Sequence, residues 1–234
     1  MFPSVDSALA NPWGTMRLVV GEPLHPGGDE ATAALLDRAD VAAGTRLLDV
    51  GCGAGNALSF ARERGADAIG IDLNPVGERT LRGDLEHLPV RTGGVDVVLA
   101  ECVLCLADDL DGALAEAHRV LPDDGRLALS DVVVEGDLPG VPARVETALC
   151  LTGQRERAHL RERVDAAGFD VGEVRDHRDD LLAMRDRARR RVDYEGLLGA
   201  MESDGEALLD AIRELERAIE SGDVGYVSLV ASPV

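Results

Sequence analysis

Residues 46–58 read RLLDVGCGAGNAL, and no other stretch restricts the fold as much. A short, mostly apolar run enters Gly51, Gly53 and Gly55, and a helical pattern follows at about 55–64. An apolar run that ends in glycines reads as a buried strand. Glycines between a strand and a helix let a ligand approach the backbone and meet the free N–H groups of a helix start. A plain structural turn is the simpler reading of the same residues. The neighbouring acids favour a ligand. DAIGIDL (67–73) is a second strand candidate, and its Asp72 lies 21 positions after Gly51, where a carboxylate accepts ribose hydroxyls. GDLEHLP (83–89) follows a third short strand and brings Asp84 within reach of a ring amine.

Further strands are expected at 95–101 and 126–134, with a helix at about 109–121 between them. A helix at about 157–167 leads through Gly168 into DVGEVRDH, and the chain ends on VGYVSLVASPV, another strand candidate. Strands alternating with helices indicate a mainly parallel α/β sheet. Between Asp72 and Asp84 there is barely room for a helix, so that crossover is expected to be clipped. Residues 179–221 read as two amphipathic helices inserted before the last strand. They would serve as a lid, a homodimer surface or a solvated hairpin, and the hairpin is the preferred reading.

The 234 residues suffice for one sizeable core. The expected division is a cover with the first helix (1–45), a binding core (46–134), a substrate-side segment (135–178), the insert (179–221) and the last strand (222–234). The formal charge is −20, and all 24 basic residues are arginine. Such a surface repels nucleic acid and anionic membranes, so neither is an expected partner. A GC-rich genome favours arginine over lysine; adaptation to molar salt, where charges are screened within about 3 Å, accounts for the acidity as well. No run approaches the roughly 20 apolar residues of a membrane span, and no secretory signal is visible. Four cysteines outside a small secreted framework suggest free thiols in a reducing cytoplasm.

The glycine spacing is Gly-x-Gly-x-Gly preceded by Asp49, unlike that of a nicotinamide-binding loop. With LLDVGCGAG, GIDLNP, GDLEHLP, VDVVLAECVL and HRVLPDDGRLALSDV in order over 46–134, the chain resembles the class I S-adenosylmethionine (SAM)-dependent methyltransferases. The resemblance implies a Rossmann-like, mainly parallel seven-stranded sheet with the last strand antiparallel, and SAM as cofactor. It implies that Gly51, Cys52 (through its backbone), Gly53 and Gly55 meet the methionine part and that Asp49 braces the loop. Asp72, with Leu73 beside it, would hold the ribose. Asp84 and Leu85 would hold the adenine end, and Glu101 would lie beside the sulfonium.

ECVLCL (101–106) carries two cysteines with C-x-x-C spacing, and four readings are open. A redox pair at Cys102 and Cys105 would usually open a helix, which Leu106 and Ala107 do not obviously do. A zinc site wants four ligands at recognisable spacings, and no second close pair exists, so no metal is expected. Core packing suits Cys105 and Cys52. The fourth reading is a pocket for a soft acceptor. ECVLCLADD and the segment 150–169 resemble the two cysteine-bearing segments of arsenite methyltransferases, with Cys102 and Cys150 at the matching positions. That likeness implies a trivalent arsenical held by thiolates, whose lone pair attacks a methyl carbon without a general base. Cys105 is a secondary candidate for a third ligand, and no cysteine precedes Cys52, where that family usually has more. Asp131 either bonds loop backbone or joins the site.

His25 reads as a surface-turn residue before it reads as a cover or base, His87 as a loop residue, and Trp13 and Tyr194 as core anchors before pocket residues. The expected protein is thus a SAM-dependent methyltransferase of a small molecule. The motif set also resembles the ubiquinone/menaquinone methyltransferases, which implies a carbon or oxygen acceptor as the alternative. A SAM-binding module without catalysis is the alternative of another class.

Overall fold

Strands β1 (Arg46–Val50), β2 (Asp67–Asp72), β4 (Val97–Glu101) and β5 (Arg126–Val134) are apolar along nearly their whole length because both faces of the sheet they form are covered. In a computed structural model describing residues 10–135, 146–147, 149–151, 156–199 and 202–234, they lie side by side and parallel. Leu48 stands between Ile69 on β2 and Val98 on β4, and Val98 pairs onward with Leu127 on β5. Alternate residues serve opposite faces. Leu47, Val97 and Leu99 pack with Leu35, Leu36 and Leu58 of helices α2 (Gly28–Arg38) and α3 (Asn56–Glu63). Leu48, Val98 and Ala100 pack on the other side with Leu114 and Ala117 of α4 (Leu110–Val120) and Leu160 and Val164 of α5 (Arg157–Ala166).

The short strand β3 (Thr80–Arg82) joins the edge of β2 in parallel, and only seven loop residues separate the two strands. A parallel crossover usually needs a dozen or more residues, so this one is clipped, as its length in the sequence requires. The last strand β8 (Val224–Pro233) runs antiparallel to β5. Residues 169–176 form two short pieces, β6 (Phe169–Val171) and β7 (Arg175–Asp176), both antiparallel to β8 on its outer edge. The order is β3-β2-β1-β4-β5-β8-β6, with β7 also on β8. The sheet therefore counts eight strands where seven are expected, because the stretch after Gly168 is broken in two.

The order of strands reverses between β1 and β4, and ligands of open α/β sheets bind at such a point, outside the carboxyl ends of the strands. Among the described residues two helices, α1 (Pro12–Val20) and α2, precede β1, where one is expected. The insert contains three helices instead of two: α6 (Arg178–Arg191), α7 (Tyr194–Gly199) and α8 (Glu202–Ser221). It is not a solvated hairpin. Leu181 of α6 and Ala218 and Ile219 of α8 form a third apolar cluster with Val132, Cys105 and Cys150. Arg189 of α6 ties the helices together by giving both ends of its guanidinium to Glu216 of α8 at 2.7 and 2.6 Å. Tyr194 of α7 donates its hydroxyl to the same carboxylate. Tyr194 thus belongs to the insert's own bracing. No helix among the described residues is long and apolar enough to cross a membrane.

Candidate active site

The glycine loop turns away from β1 by forming two hydrogen bonds to β2, from the Gly51 and Cys52 N–H groups to the Ile71 carbonyl at 2.7 and 3.1 Å. Gly51 has φ +74° and faces Val103 so closely that a Cβ would collide with that side chain. Gly53 has φ +50° and open space where a Cβ would stand, and its N–H donates to Asp72 Oδ2 at 2.9 Å. Asp72 Oδ1 accepts from the Asn74 N–H at 2.8 Å, so the carboxylate is fixed at the end of β2. The Cys52 side chain tucks beneath the loop against Gly70, and burial, with Asp49 and Asp72 nearby, pushes its thiol up to about 12. Its backbone, not its sulfur, belongs to the site.

A cavity of about 590 Å³ opens over this loop. It is bordered by Asp49, Gly51, Gly53, Asp72, Leu73, Asp84, Leu85 and Glu101, which the family resemblance assigns to one cofactor, whereas Gly55, assigned with them, does not border it. Three buried or half-buried carboxylates meet there. Burial, and then the charges of Glu101 and Asp72, hold the Asp49 carboxyl well above its ordinary range. Burial raises Glu101 too, against the opposing effects of His25 and a hydrogen bond from Thr32. Arg17 is the one arginine among the described lining residues, and Glu22 holds it at 2.6 Å. The cavity is therefore matched to a ligand with positive charge.

Glu101 is fixed by a residue that the sequence reading did not select. Thr32 of α2 is 2 % exposed, and its hydroxyl lies 3.0 and 3.3 Å from the two Glu101 oxygens. His25 Nε2 stands 3.3 Å from the same hydroxyl and 4.0 Å from Glu101. The His25 side chain is only 12 % exposed and borders the cavity, so it is not a surface-turn residue. The available signal for Thr32 was a hydroxyl on the buried stripe Gly28, Thr32, Leu35, Leu36 of an amphipathic helix. Trp13 also borders the cavity; His87 sits in the loop after β3, paired with Asp84.

Beyond Glu101 the cavity changes character. Met16, Leu181, Met184, Leu215 and Ile219 wall it, most of them from the insert. Cys102 and Cys150 border it as well. Cys102 follows β4 directly and its N–H bonds the Ser130 carbonyl of β5 at 2.8 Å. Cys102 and Cys150 both adopt left-handed backbone, with φ +50° and +56°, a conformation that non-glycine residues keep only where surroundings enforce it. Cys150 Sγ lies 3.4 Å from the Cys102 carbonyl, and the sulfurs of the two residues are within 4.8 Å of one another. Cys105, expected as plain core, is bonded to Cys150 in a disulfide, so two of the four cysteines are not the free thiols expected. The C-x-x-C pair itself is not joined. Asp131 bonds loop backbone, one of its two expected roles, and does not itself border the cavity. Its oxygens accept from the Cys105 and Val132 N–H groups at 3.1 and 2.9 Å, and one lies within 4.8 Å of both Cys102 and Cys150. Burial and the Asp131 charge raise the Cys102 thiol, and the Tyr226 hydroxyl opposes them.

Residues 48–129 match the methyltransferase domain family. A methyltransferase of Streptomyces halstedii, GfsG, is 32% identical over 176 residues, 66% of this chain and 63% of that protein. The arsenite methyltransferase of Halobacterium salinarum is 33% identical over 156 residues, 58% of this chain and 40% of that protein. The chain thus spans less than two thirds of the length of either relative. Among solved structures, the [4+2]-cyclase SpnF superposes with a TM-score of 0.72 at 24% identity, covering 96% of this chain and 92% of SpnF.

Proposed function

We propose that this chain, whose residues 48–129 match the methyltransferase domain family, is a class I methyltransferase that transfers the methyl group of SAM to a small thiophilic acceptor, a trivalent arsenical in the first place. The observation that supports the proposal is that Cys102 and Cys150 both border the cavity that Glu101 borders, with their sulfurs within 4.8 Å of one another.

The residues present fit the cofactor. The open face at Gly53 leaves room for a ligand against the backbone, and the Asp72 carboxylate keeps lone pairs for ribose hydroxyls after accepting two N–H groups. Asp84 and Leu85 border the same cavity and would take the adenine. Asp49 and Glu101 suit an ammonium and a sulfonium. Bound there, SAM supplies a methyl group on positively charged sulfur. Glu101, held by Thr32, attracts that charge while it exists and loses the attraction once the sulfur is neutral, which favours product release. On the acceptor side, Cys102 and Cys150, once the Cys105–Cys150 bond is reduced, would bind arsenic as thiolates. Arsenic's lone pair forms the new As–C bond as the C–S pair returns to the cofactor sulfur. The acceptor gives up no proton, so no residue is needed as base.

A second reading draws on the apolar wall of Met16, Leu181, Met184, Leu215 and Ile219: transfer to carbon or oxygen of a small apolar metabolite. The test is to incubate thiol-reduced protein with SAM and arsenite or methylarsenite in high salt. One S-adenosylhomocysteine (SAH) is expected per methyl group on arsenic, and Cys102→Ser and Cys150→Ser should each lower the rate at least about 100-fold. No methylated arsenic at saturating SAM would sink the arsenical. Mild serine variants with a carbon or oxygen acceptor would establish the second reading.

A further inference from the structure

We propose that Glu101, Thr32 and His25 form a relay holding one shared proton, which rests on Glu101 beside a neutral ligand and on His25 beside a sulfonium. The inference rests on SAM as the cofactor and on no particular acceptor.

A count of donors carries it. Glu101 ends β4, Thr32 lies on α2, and His25 stands just before that helix. The Thr32 hydroxyl is 3.0 and 3.3 Å from the two Glu101 oxygens and 3.3 Å from His25 Nε2. His25 Nδ1 lies 3.1 Å from the Pro26 carbonyl oxygen, which can only accept, so Nδ1 carries a proton. The hydroxyl has a single proton of its own. When it goes to Glu101, Nε2 must donate to the hydroxyl oxygen, and the imidazole is then a cation. When it goes to Nε2, Glu101 must be the donor, and Glu101 is then a neutral acid. Both arrangements complete the hydrogen bonds at Pro26, His25, Thr32 and Glu101, and both contain the same number of protons. Without the shared proton, the hydroxyl serves Glu101 or His25 but not both, and a buried polar group left unpaired is costly.

The surroundings keep this chain of bonds apart from water and from other partners. Thr32 is 2 % exposed, and the side chains of His25 and Glu101 are 12 % and 7 % exposed. Asp49, Cys102 and Tyr226 are the titratable groups that feel the Glu101 charge, and burial holds each of them towards its neutral form. Around the turn that carries His25, Glu22 is engaged by Arg17 at 2.6 Å. Asp180 of α6, which lies beside Gly27, is engaged with His177 at 3.2 Å.

The two arrangements differ in where the charge stands. Burial favours the neutral acid at Glu101, and His25 favours the carboxylate. Beside a sulfonium the carboxylate gains a further partner. The Glu101 O–H bond then breaks as its proton passes to Thr32 Oγ, while the proton already on Thr32 passes to His25 Nε2. None enters or leaves the protein. Beside a neutral sulfur, burial returns the proton to Glu101 by the reverse path, and the attraction for a cation goes with it. His25 is thus a positioning residue that acts on the cofactor through Thr32.

Nitrogen NMR of the imidazole rings reads the proton directly, on the whole chain saturated with SAM or with SAH at about pH 7, near the ordinary histidine value. The chain has five histidines, and His25→Gln identifies the His25 signals by their loss. With SAM, both ring nitrogens of His25 should carry protons; with SAH, Nε2 should be bare. Thr32→Val should abolish this difference between the complexes, and Thr32→Ser should restore it. His25→Gln keeps a donor and an acceptor but takes up no proton. It should lower the ratio of SAM to SAH affinity about fivefold, the size of one hydrogen bond's contribution, with SAH binding unchanged as the sign of a kept fold. One ring state in both complexes would overturn the relay and leave the cofactor in place. So would an unchanged affinity ratio in His25→Gln. Binding of neither ligand would overturn the cofactor assignment, and the relay with it.

Discussion

At the scale of single residues, Thr32 shows how one hydroxyl governs a charge. It spends its one proton on Glu101, and it reaches the carboxylate from a helix of the cover and not from the sheet. A carboxylate held so should tell a sulfonium from a thioether. Glu101→Gln is expected to weaken SAM binding by about tenfold or more, the size of a charged hydrogen bond's contribution, and to leave SAH nearly unchanged. Thr32→Val should move the same ratio in the same direction by less, and Thr32→Ser should restore it. Calorimetric titration with both ligands measures this, and equal losses for SAM and SAH would show that Glu101 does not sense charge.

At the scale of elements, the insert depends on a carboxylate with little contact with water. Burial raises Glu216, but hydrogen bonds from Arg189 and Tyr194 outweigh burial and leave it below its ordinary range, while Arg189 is held up in turn. A carboxyl lowered in the folded state stabilises fully above its unfolded value of about 4.3, and that contribution is lost as pH falls through the folded value. Glu216→Gln should therefore lower the urea midpoint at pH 7 and make less difference at pH 3.5. A constant difference between the two pH values would show that the bridge contributes little. The strands and helices from 46 to 134 were legible because each is a contiguous run whose period shows which way it faces, and Leu47–Leu48 divide between two cores as alternation requires. The insert's helices were legible as helices, but not as a wall. Leu181 and Ile219 are ordinary members of amphipathic stripes, and nothing in a stripe names its partner. The cysteines failed for a related reason. Cys105 and Cys150 are 45 positions apart, and the likeness to a known family matches Cys150 with Cys102, so nothing in the sequence points to their bond.

At the scale of the whole molecule, 44 acidic side chains face 24 arginines. Individual pairs such as Arg64–Asp37 and Arg79–Asp67 lie at the surface and are individually weak. Salt screens them, but it also screens the repulsion of an excess of 20 negative charges. The second effect is larger, because the excess has no compensating attraction to lose. The thermal midpoint is expected to rise steadily as potassium chloride goes from about 0.1 to about 1 M, where the screening length falls from roughly 10 to 3 Å. A midpoint that falls over this range would mean that the surface pairs dominate.

The three helices of the insert leave and rejoin the sheet at one place. Asp176 pairs with Val227, and β8 itself begins at Val224. The chain goes out after β7, builds one wall of the cavity and returns beside its point of departure, without interrupting the strands β1 to β5. Such an arrangement is modular. The segment 178–221 can be exchanged for one of another length or lining while the glycine loop, Asp72 and Glu101 keep their places, so what the pocket admits and what powers its chemistry are free to be inherited separately.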